Sequence, residues 1–294
     1  IAVIAGMGGS HLAADIMQVW DSSLDIVVQS DYGFSGIPGS VLKDSLIVAS
    51  SYSGNTEETL SVFEEAQKRG LPLAALSTGG NLLELAKKHG VPYAQIPDTG
   101  IQPRMALGYM LRGLAALTMQ ERLLKESALL SKKLRPGERE AKGKELAGRL
   151  KGKIPVIYSS RRNQPVAYNW KIKFNESSKI PAFFNVFPEL NHNEMTGFDV
   201  IGATRELTEK LCVIVLKDGD DHPRVQKRME ELEKLYRDRG VSIESIRLEG
   251  DTALEKIFNS LLVADWTALH VAELYGTEPE EVPMVEEFKK RIAG

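Results

Sequence analysis

Short apolar runs alternate with helical patterns along the first half of the chain. Residues 1–5 are apolar and end at a glycine-rich turn, after which Leu12, Ile16 and Val19 recur at helical spacing. Further apolar runs at 26–28, 46–49, 73–76 and 93–96 predict strands, and a short helix is predicted at 82–88. A helix that follows residue 56 is predicted to end in a left-handed C-cap at Gly70. This alternation predicts a parallel sheet covered by helices on both faces.

The pattern changes at residues 122–153, where Lys, Arg and Glu dominate and large apolar residues are few. We interpret this segment as solvated helix and linker. Alternation then resumes, with extended segments predicted at 154–158, 181–187, 211–216 and 243–248 and helices at 165–174, 224–239 and 254–274. The sequence therefore predicts two α/β domains, 1–125 and 153–294, joined by a charged helical linker at 126–152. Each domain is predicted to be a mainly parallel sheet flanked by helices on both faces.

Composition narrows the class of protein. The 294 residues are 43% hydrophobic and 26% charged, as in a globular protein, and the net charge of −3 predicts neither a nucleic-acid nor a membrane partner. The longest apolar stretch, 105–119, is short and contains Arg112, which favours a core helix over a membrane span. The one cysteine, Cys212, is predicted to be buried in a strand, and its solitude suits a reducing cytoplasm. No targeting segment is visible, although the chain opens inside a strand-like run, which predicts a missing upstream segment.

Two loops carry the residue types that bind a phosphate. Residues 50–59 read SSYSGNTEET, directly after an apolar run, and residues 6–10 read GMGGS after another. Glycines let an anion approach the backbone, hydroxyls donate hydrogen bonds to its oxygens, and a following helix N-terminus attracts negative charge. Both loops are expected at the carboxyl edge of the sheet, where such folds bind ligands. The alternative is that Ser53 or Thr56 merely caps a helix.

Two other phosphate-binding motifs fit less well. A P-loop needs a lysine after its last glycine, and residues 53–56 (SGNT) contain none. A dinucleotide-binding fingerprint needs a third glycine where GMGGSH has His11, although Asp31 lies at a suitable distance to bind a ribose. No cofactor is therefore predicted.

Carboxylates, asparagines and a histidine are interleaved with aromatic residues in the second half. Residues 173–179 read KFNESSK and residues 187–194 read FPELNHNE. Glu176 and Glu194 are both candidates for a catalytic base, and His192 is a candidate acid–base group, although each residue taken alone fits an ordinary capping or surface residue better. No two histidines have the spacing of metal ligands, so no metal is predicted.

Together these stretches resemble a known family. GMGGS and SYSGNTEET resemble the sugar isomerase (SIS) domain, which binds sugar phosphates, and FNESSK and FPELNHNE resemble the bifunctional phosphoglucose/phosphomannose isomerases. The resemblance runs from residue 1 to the C-terminus. It implies two SIS-type domains, a homodimer, a small sugar phosphate as substrate, and interconversion of glucose 6-phosphate, and of mannose 6-phosphate, with fructose 6-phosphate through a cis-enediolate without metal.

The resemblance also implies roles for individual residues. Glu176 matches the proton-transferring base, Arg104 in QPRMAL matches the arginine that stabilises the enediolate, and His192 matches a ring-opening histidine contributed by the partner subunit. Lys289 matches a second ring-opening group. The phosphate-binding set implied is Gly9, Ser10, Ser51, Ser53 and Thr56.

Two positions depart from the pattern of the family. His11 replaces a small residue after the first loop, which predicts a narrower phosphate cradle. Val282 stands where the family usually has a threonine associated with mannose phosphate, which leaves the second activity open. A sugar-phosphate sensor without catalysis and an isomerase for another phosphosugar are the competing hypotheses; the presence of Glu176, His192 and Arg104 together favours an enzyme.

Overall fold

The chain forms two compact units. A computed structural model describes residues 1–292, and its two units are Ile1–Lys132 and Lys133–Gly294. Both are built from parallel strands connected through helices, which confirms the α/β class predicted from the alternating pattern. The predicted domain limits at 125 and 153 remain predictions.

Five strands and six helices form the first unit. The strands are β1 (Ala2–Ala5), β2 (Ile26–Gln29), β3 (Leu46–Ser50), β4 (Leu73–Ser77) and β5 (Tyr93–Gln95). The helices are α1 (Leu12–Trp20), α2 (Gly39–Lys43), α3 (Glu57–Lys68), α4 (Gly80–Lys88), α5 (Leu107–Leu117) and α6 (Glu121–Lys133). Gly70 has a φ of 64° just after α3, so the predicted left-handed C-cap is confirmed.

The first sheet is parallel throughout and has the order β2-β1-β3-β4-β5. All five residues of β4 are buried, as expected for a strand covered on both faces. One face of the sheet packs on α3 and α4, through a core that includes Val62, Phe63 and Leu82. A Cβ added to Gly113 of α5 would lie 2.4 Å from Leu76, so α5 packs closely on β4.

The described residues of the second unit, up to residue 292, form four strands and six α-helices. The strands are β6 (Ile154–Ser160), β7 (Phe183–Phe187), β8 (Leu211–Lys217) and β9 (Ser242–Arg247). The helices are α7 (Pro136–Leu150), α8 (Gln164–Lys173), α9 (Arg205–Glu209), α10 (Pro223–Asp238), α11 (Ala253–Tyr275) and α12 (Pro283–Ile292). Every strand predicted in this half is present, and α12 is a helix that the sequence pattern did not predict.

The second sheet, β7-β6-β8-β9, repeats the strand order of the first four strands of the other sheet. Its core joins alternate residues of the strands, among them Tyr158 and Val213, to Leu232 and Tyr236 of α10. Cys212 is buried in β8, as predicted, and burial raises the pKa of its thiol to about 12.

The charged segment interpreted as solvated linker forms α6 and α7. In α7 the few apolar residues, Leu146, Ala147 and Leu150, are fully buried, and the helix packs along α11. A Cβ on Gly143 would lie 2.4 Å from Trp266, so a small residue is needed where the two helices touch. This half of the segment is therefore part of the packed second unit, because a narrow stripe of small and apolar residues is enough to bury one face of a helix.

Candidate active site

The glycine- and hydroxyl-rich loops lie side by side at one edge of the first sheet. Residues 6–10 follow β1 and residues 51–56 follow β3, and these strands are neighbours. After β1 the chain crosses to β2, and after β3 it crosses in the opposite direction along the sheet, to β4. A crevice is therefore expected between the carboxyl ends of β1 and β3. A Cβ on Gly6 would lie 2.7 Å from the carbonyl oxygen of Ser50, so the first loop has no room for a side chain there.

Hydroxyl groups join the two loops. Ser10 Oγ accepts a hydrogen bond of 3.0 Å from the backbone N–H of Tyr52. Ser51 Oγ lies 2.8 Å from Thr56 Oγ1 and accepts a hydrogen bond of 3.0 Å from the N–H of Gly54. The structure thus brings the residues predicted to bind phosphate to one sheet edge: Gly9, Ser10, Ser51, Ser53 and Thr56.

The hydroxyls of Ser53 and Thr56 do not act as simple caps of α3. Thr56 is the N-cap residue, but its side chain makes no capping hydrogen bond and contacts Ser51 instead. Ser53 is exposed and accepts a hydrogen bond of 3.3 Å from the N–H of Asn55. The N-terminus of α3 keeps the N–H groups and partial positive charge that favour a bound anion.

Arg104 lies beside the first loop. It is 4% exposed and belongs to a short 3-10 helix, Pro103–Met105, that packs against the 3-10 helix Gly8–Ser10. A Cβ on Gly9 would lie 3.2 Å from the carbonyl oxygen of Pro103 and 3.4 Å from the nitrogen of Arg104. Glycine is therefore the residue that allows this approach, and the cradle and the arginine form one cluster within the first unit.

His11, which departs from the family pattern, is turned along α1. Its Nδ1 lies 2.7 Å from Asp15 Oδ2, one turn further along the helix. This contact gives the ring a partner on the helix surface. Its effect on the width of the cradle stays a prediction.

Glu176 lies in a π-helical turn, Phe174–Ser178, that continues directly from α8. Its side chain is half-buried, and the turn ends at Lys179, whose φ is 59°. Lys179 Nζ donates a hydrogen bond of 2.6 Å to the backbone oxygen of Glu176. Isolated π-turns are rare and are often found at functional sites, because they re-aim a side chain relative to the regular helix.

Three hydrogen bonds fasten α8 and this π-turn to α11. Trp170 Nε1 donates to Ser260 Oγ at 2.9 Å, Lys173 Nζ donates to Asp265, and Ser178 Oγ donates to the carbonyl oxygen of Ala268 at 2.8 Å. All three donors belong to buried residues. The backbone before and after Glu176 is therefore attached to the long helix α11.

His192 ends a short 3-10 helix, Glu189–His192, that follows β7. Its side chain is exposed and makes no hydrogen bond within residues 1–292. Glu194, the other candidate base, differs: its carboxylate accepts hydrogen bonds from Tyr158 Oη and Asn185 Nδ2. Both of its oxygens are thus engaged with groups on β6 and β7, which suits a structural role for Glu194.

Lys289 lies on α12, the helix that the sequence pattern did not predict. It is exposed and forms an ion pair of 2.8 Å with Glu286. No described residue of α12 is buried, and Met284 and Phe288 are largely exposed. Val282 immediately precedes the helix, and its carbonyl oxygen accepts hydrogen bonds from the N–H groups of Val285 and Glu286. The spacing of 284, 285, 288 and 292 was the available signal for this helix.

At the corresponding edge of the second sheet, after β6 and β8, lies a buried charged cluster. Lys256 Nζ contacts Asp218 Oδ1 at 2.8 Å, and Asn163 Nδ2 contacts Asp218 and Asp221. Burial raises the pKa of Asp218, but hydrogen bonds from Lys256, the Asp220 N–H and Asn163 outweigh it, and the net pKa is lowered. Burial raises the pKa of Asp221. Two carboxylates at this edge disfavour an anion, so the two sheets are not equivalent as phosphate sites.

Across the part of the chain that the structure describes, no helix is long and apolar enough to cross a membrane. Within the same residues, no three His, Cys, Asp or Glu side chains are grouped as metal ligands would be.

The chain matches a protein-family model, several curated proteins and solved structures. The family model described as bacterial phospho-glucose isomerase C-terminal SIS domain matches residues 139–292. The bifunctional phosphoglucose/phosphomannose isomerase of Aquifex aeolicus is 36% identical, over 99% of this chain and 89% of that protein. The protein of the same name from Caldicellulosiruptor bescii is 33% identical, over 99% and 89%. A crystal structure of a hypothetical protein from Thermus thermophilus superposes with a TM-score of 0.72 at 18% identity, covering 100% of this chain and 84% of that one, and supports the fold alone.

Proposed function

Because the chain belongs to the bifunctional phosphoglucose/phosphomannose isomerase family, we propose that it interconverts glucose 6-phosphate and fructose 6-phosphate, and mannose 6-phosphate as a second aldose. The observation that carries this proposal is the relationship over nearly the whole chain, at 36% identity to the Aquifex aeolicus enzyme. The proposed catalyst consists of two SIS-type domains, with limits at 1–125 and 153–294, and works without a metal ion.

The loops of the first unit bind the phosphate in this proposal. Ser10, Ser51, Ser53 and Thr56 donate hydrogen bonds from hydroxyls, and Gly9 lets the backbone approach. The meeting of these loops at adjacent strand ends supports this role. An anchored phosphate holds the reacting carbons in register, and so lowers the entropic part of the barrier.

Glu176 moves the proton between carbons. Its carboxylate removes a proton from C2 of the open-chain aldose and returns it to C1, through a cis-enediolate whose oxygen carries the developing negative charge. Arg104 is proposed to stabilise that oxygen, and one such interaction is typically worth about 3–4 kcal/mol. The buried position of Arg104 beside Gly9 supports this role, since little water would screen its charge.

Ring opening precedes the proton transfer, and His192 and Lys289 are proposed to assist it. His192 is further proposed to be contributed across the interface of a homodimer. The exposure of its imidazole supports this, because an unpartnered ring at the surface is accessible to a second chain. Val282 leaves the mannose activity the least supported part of the proposal.

Turnover tests the proposal directly. The purified protein should convert fructose 6-phosphate to glucose 6-phosphate in the presence of excess EDTA, and assays with mannose and glucosamine 6-phosphates should define its range. Glu176→Gln should bind glucose 6-phosphate normally but lose at least about a hundredfold in kcat, as expected for a lost general base. Binding of sugar phosphates without any turnover would instead identify a sensor.

A further inference from the structure

The segment that carries His192 is tethered at two points that the family resemblance does not assign. Upstream, Leu190 is fully buried in the core of the second unit. Downstream, Glu194 reaches Tyr158 Oη and Asn185 Nδ2, and its own N–H donates to Asn193 Oδ1 at 2.6 Å. His192 lies midway between the two, two residues from each. Its backbone is fixed while its ring remains exposed.

The polar tether matters because packing under the segment is incomplete. An open cleft of about 270 Å³ lies between it and α10, lined by Asn191, Met195 and Thr196 from the segment and by Tyr236 from the helix. On that side the segment borders solvent, and its apolar contact with the core is made by Leu190, Met195 and Phe198. Hydrogen bonds to a carboxylate are about twice as strong as neutral ones and are directional.

We propose that Glu194, held by Tyr158 and Asn185, is a positioning residue for His192 and acts on ring opening only through that histidine. This rests on the proposed function, in which His192 assists ring opening. The anchors are rigid, since Tyr158 lies in the central strand β6 and is fully buried, and Asn185 lies in the neighbouring strand β7. The carboxylate therefore joins the short 3-10 segment that carries His192 to two neighbouring strands of the sheet.

Glu194→Gln tests the tether with an isosteric change. Glutamine can keep both hydrogen bonds, because its oxygen can accept from Asn185 Nδ2 and its amide can donate to Tyr158 Oη, but it removes the negative charge that strengthens them. We expect kcat with fructose 6-phosphate to fall about tenfold with KM unchanged, which corresponds to about 1.4 kcal/mol. Asn185→Asp in the same chain restores a carboxylate beside the amide, and with it a charge-assisted hydrogen bond, and should recover most of kcat. Asn185→Asp alone places a second carboxylate opposite that of Glu194, so kcat of this variant should also fall.

A double-mutant cycle separates positioning from general destabilisation. If Glu194 acts through His192, Glu194→Gln should change kcat by less than about twofold in a His192→Ala background, because coupled residues are not additive. Equal losses in both backgrounds would overturn the proposal, as would wild-type kcat in Glu194→Gln. Tyr158→Phe should reproduce the loss.

Amide hydrogen exchange gives a readout that does not depend on activity. Peptides covering residues 189–198 should exchange faster in Glu194→Gln and Tyr158→Phe than in the wild type, with β8 unchanged. Unaltered exchange in that segment would refute the tether. If His192→Ala keeps full turnover, the proposed role of His192 fails, and the exchange result still decides whether Glu194 holds the segment.

Discussion

Gly54 lies at the tightest point of the loop that we propose binds the phosphate, and Gly54→Ala is the sharpest test of how that loop is built. Gly54 has a φ of 74°, and a Cβ there would lie 1.9 Å from the carbonyl oxygen of Gly79 and 2.8 Å from its carbonyl carbon. Both are backbone atoms and cannot rotate away as a side chain can. A neighbouring hydrogen bond of 2.9 Å, from the N–H of Leu82 to the carbonyl oxygen of Gly54, joins this loop to the first turn of α4.

Two costs add at this position. An L-residue in the left-handed region costs about 1–2 kcal/mol. Relieving the contact with Gly79 displaces backbone and costs about a further 1–3 kcal/mol, as overpacking does elsewhere. Gly36→Ala isolates the first cost, because Gly36 has a φ of 79° in the same unit with nothing within 4 Å of its added Cβ. The difference between the two variants is therefore expected to be about 1–3 kcal/mol.

Denaturant titration measures the free energy of unfolding of both variants, and calorimetry measures their affinity for glucose 6-phosphate. Gly54→Ala should also weaken sugar-phosphate binding by at least about tenfold, the effect of losing about 1.4 kcal/mol, since the hydrogen bond from its N–H to Ser51 Oγ fixes one of the donors. Gly36→Ala should bind normally. Equal stability and equal affinity in the two variants would show that the approach of the loops does not matter.

Three further predictions concern the second unit. Glu176→Ala and His192→Ala, each with only residual activity alone, should partly restore activity when mixed, and no recovery despite verified subunit exchange would argue against a shared site. Lys256→Met removes the nearer cationic partner of the buried Asp218 and leaves Arg162 at 3.6 Å, so it should cost about 1–3 kcal/mol of unfolding free energy, against less than about 1 kcal/mol for the exposed Lys234→Met control. The lowered pKa of Asp218 means that its stabilisation is present above its unfolded pKa of about 3.9 and is lost as pH falls through the folded value. Asp218→Asn should therefore flatten the acid limb of stability measured below about pH 4, and an unchanged limb would contradict this assignment.

Most strands and helices, and their order, could be predicted from the sequence, because a strand that is buried on both faces consists largely of apolar residues. Short apolar runs mark most of the strands except for their exact ends, β9 being an alternating segment, and the helical spacing that follows most runs marks the crossovers. The glycine and hydroxyl loops were also visible, since a loop that binds an anion needs special residue types in a short stretch. The sequence placed both loops at one edge of the sheet because the carboxyl ends of parallel strands lie at the same edge; no individual side chain was needed for this prediction.

Contacts between distant residues left no such record. Tyr158 and Asn185 lie in apolar strands and look like ordinary strand residues until the structure brings them to Glu194. Gly143 of α7 lies in a charged segment, and only its contact with Trp266 shows that this helix is packed. The pattern of apolar and polar residues shows which face of a helix or strand is buried, but only the tertiary fold shows which residues that face contacts. The sequence alone therefore determined strands, helices and the chemistry of the loops, whereas the tertiary structure decided which polar groups hold one another in place.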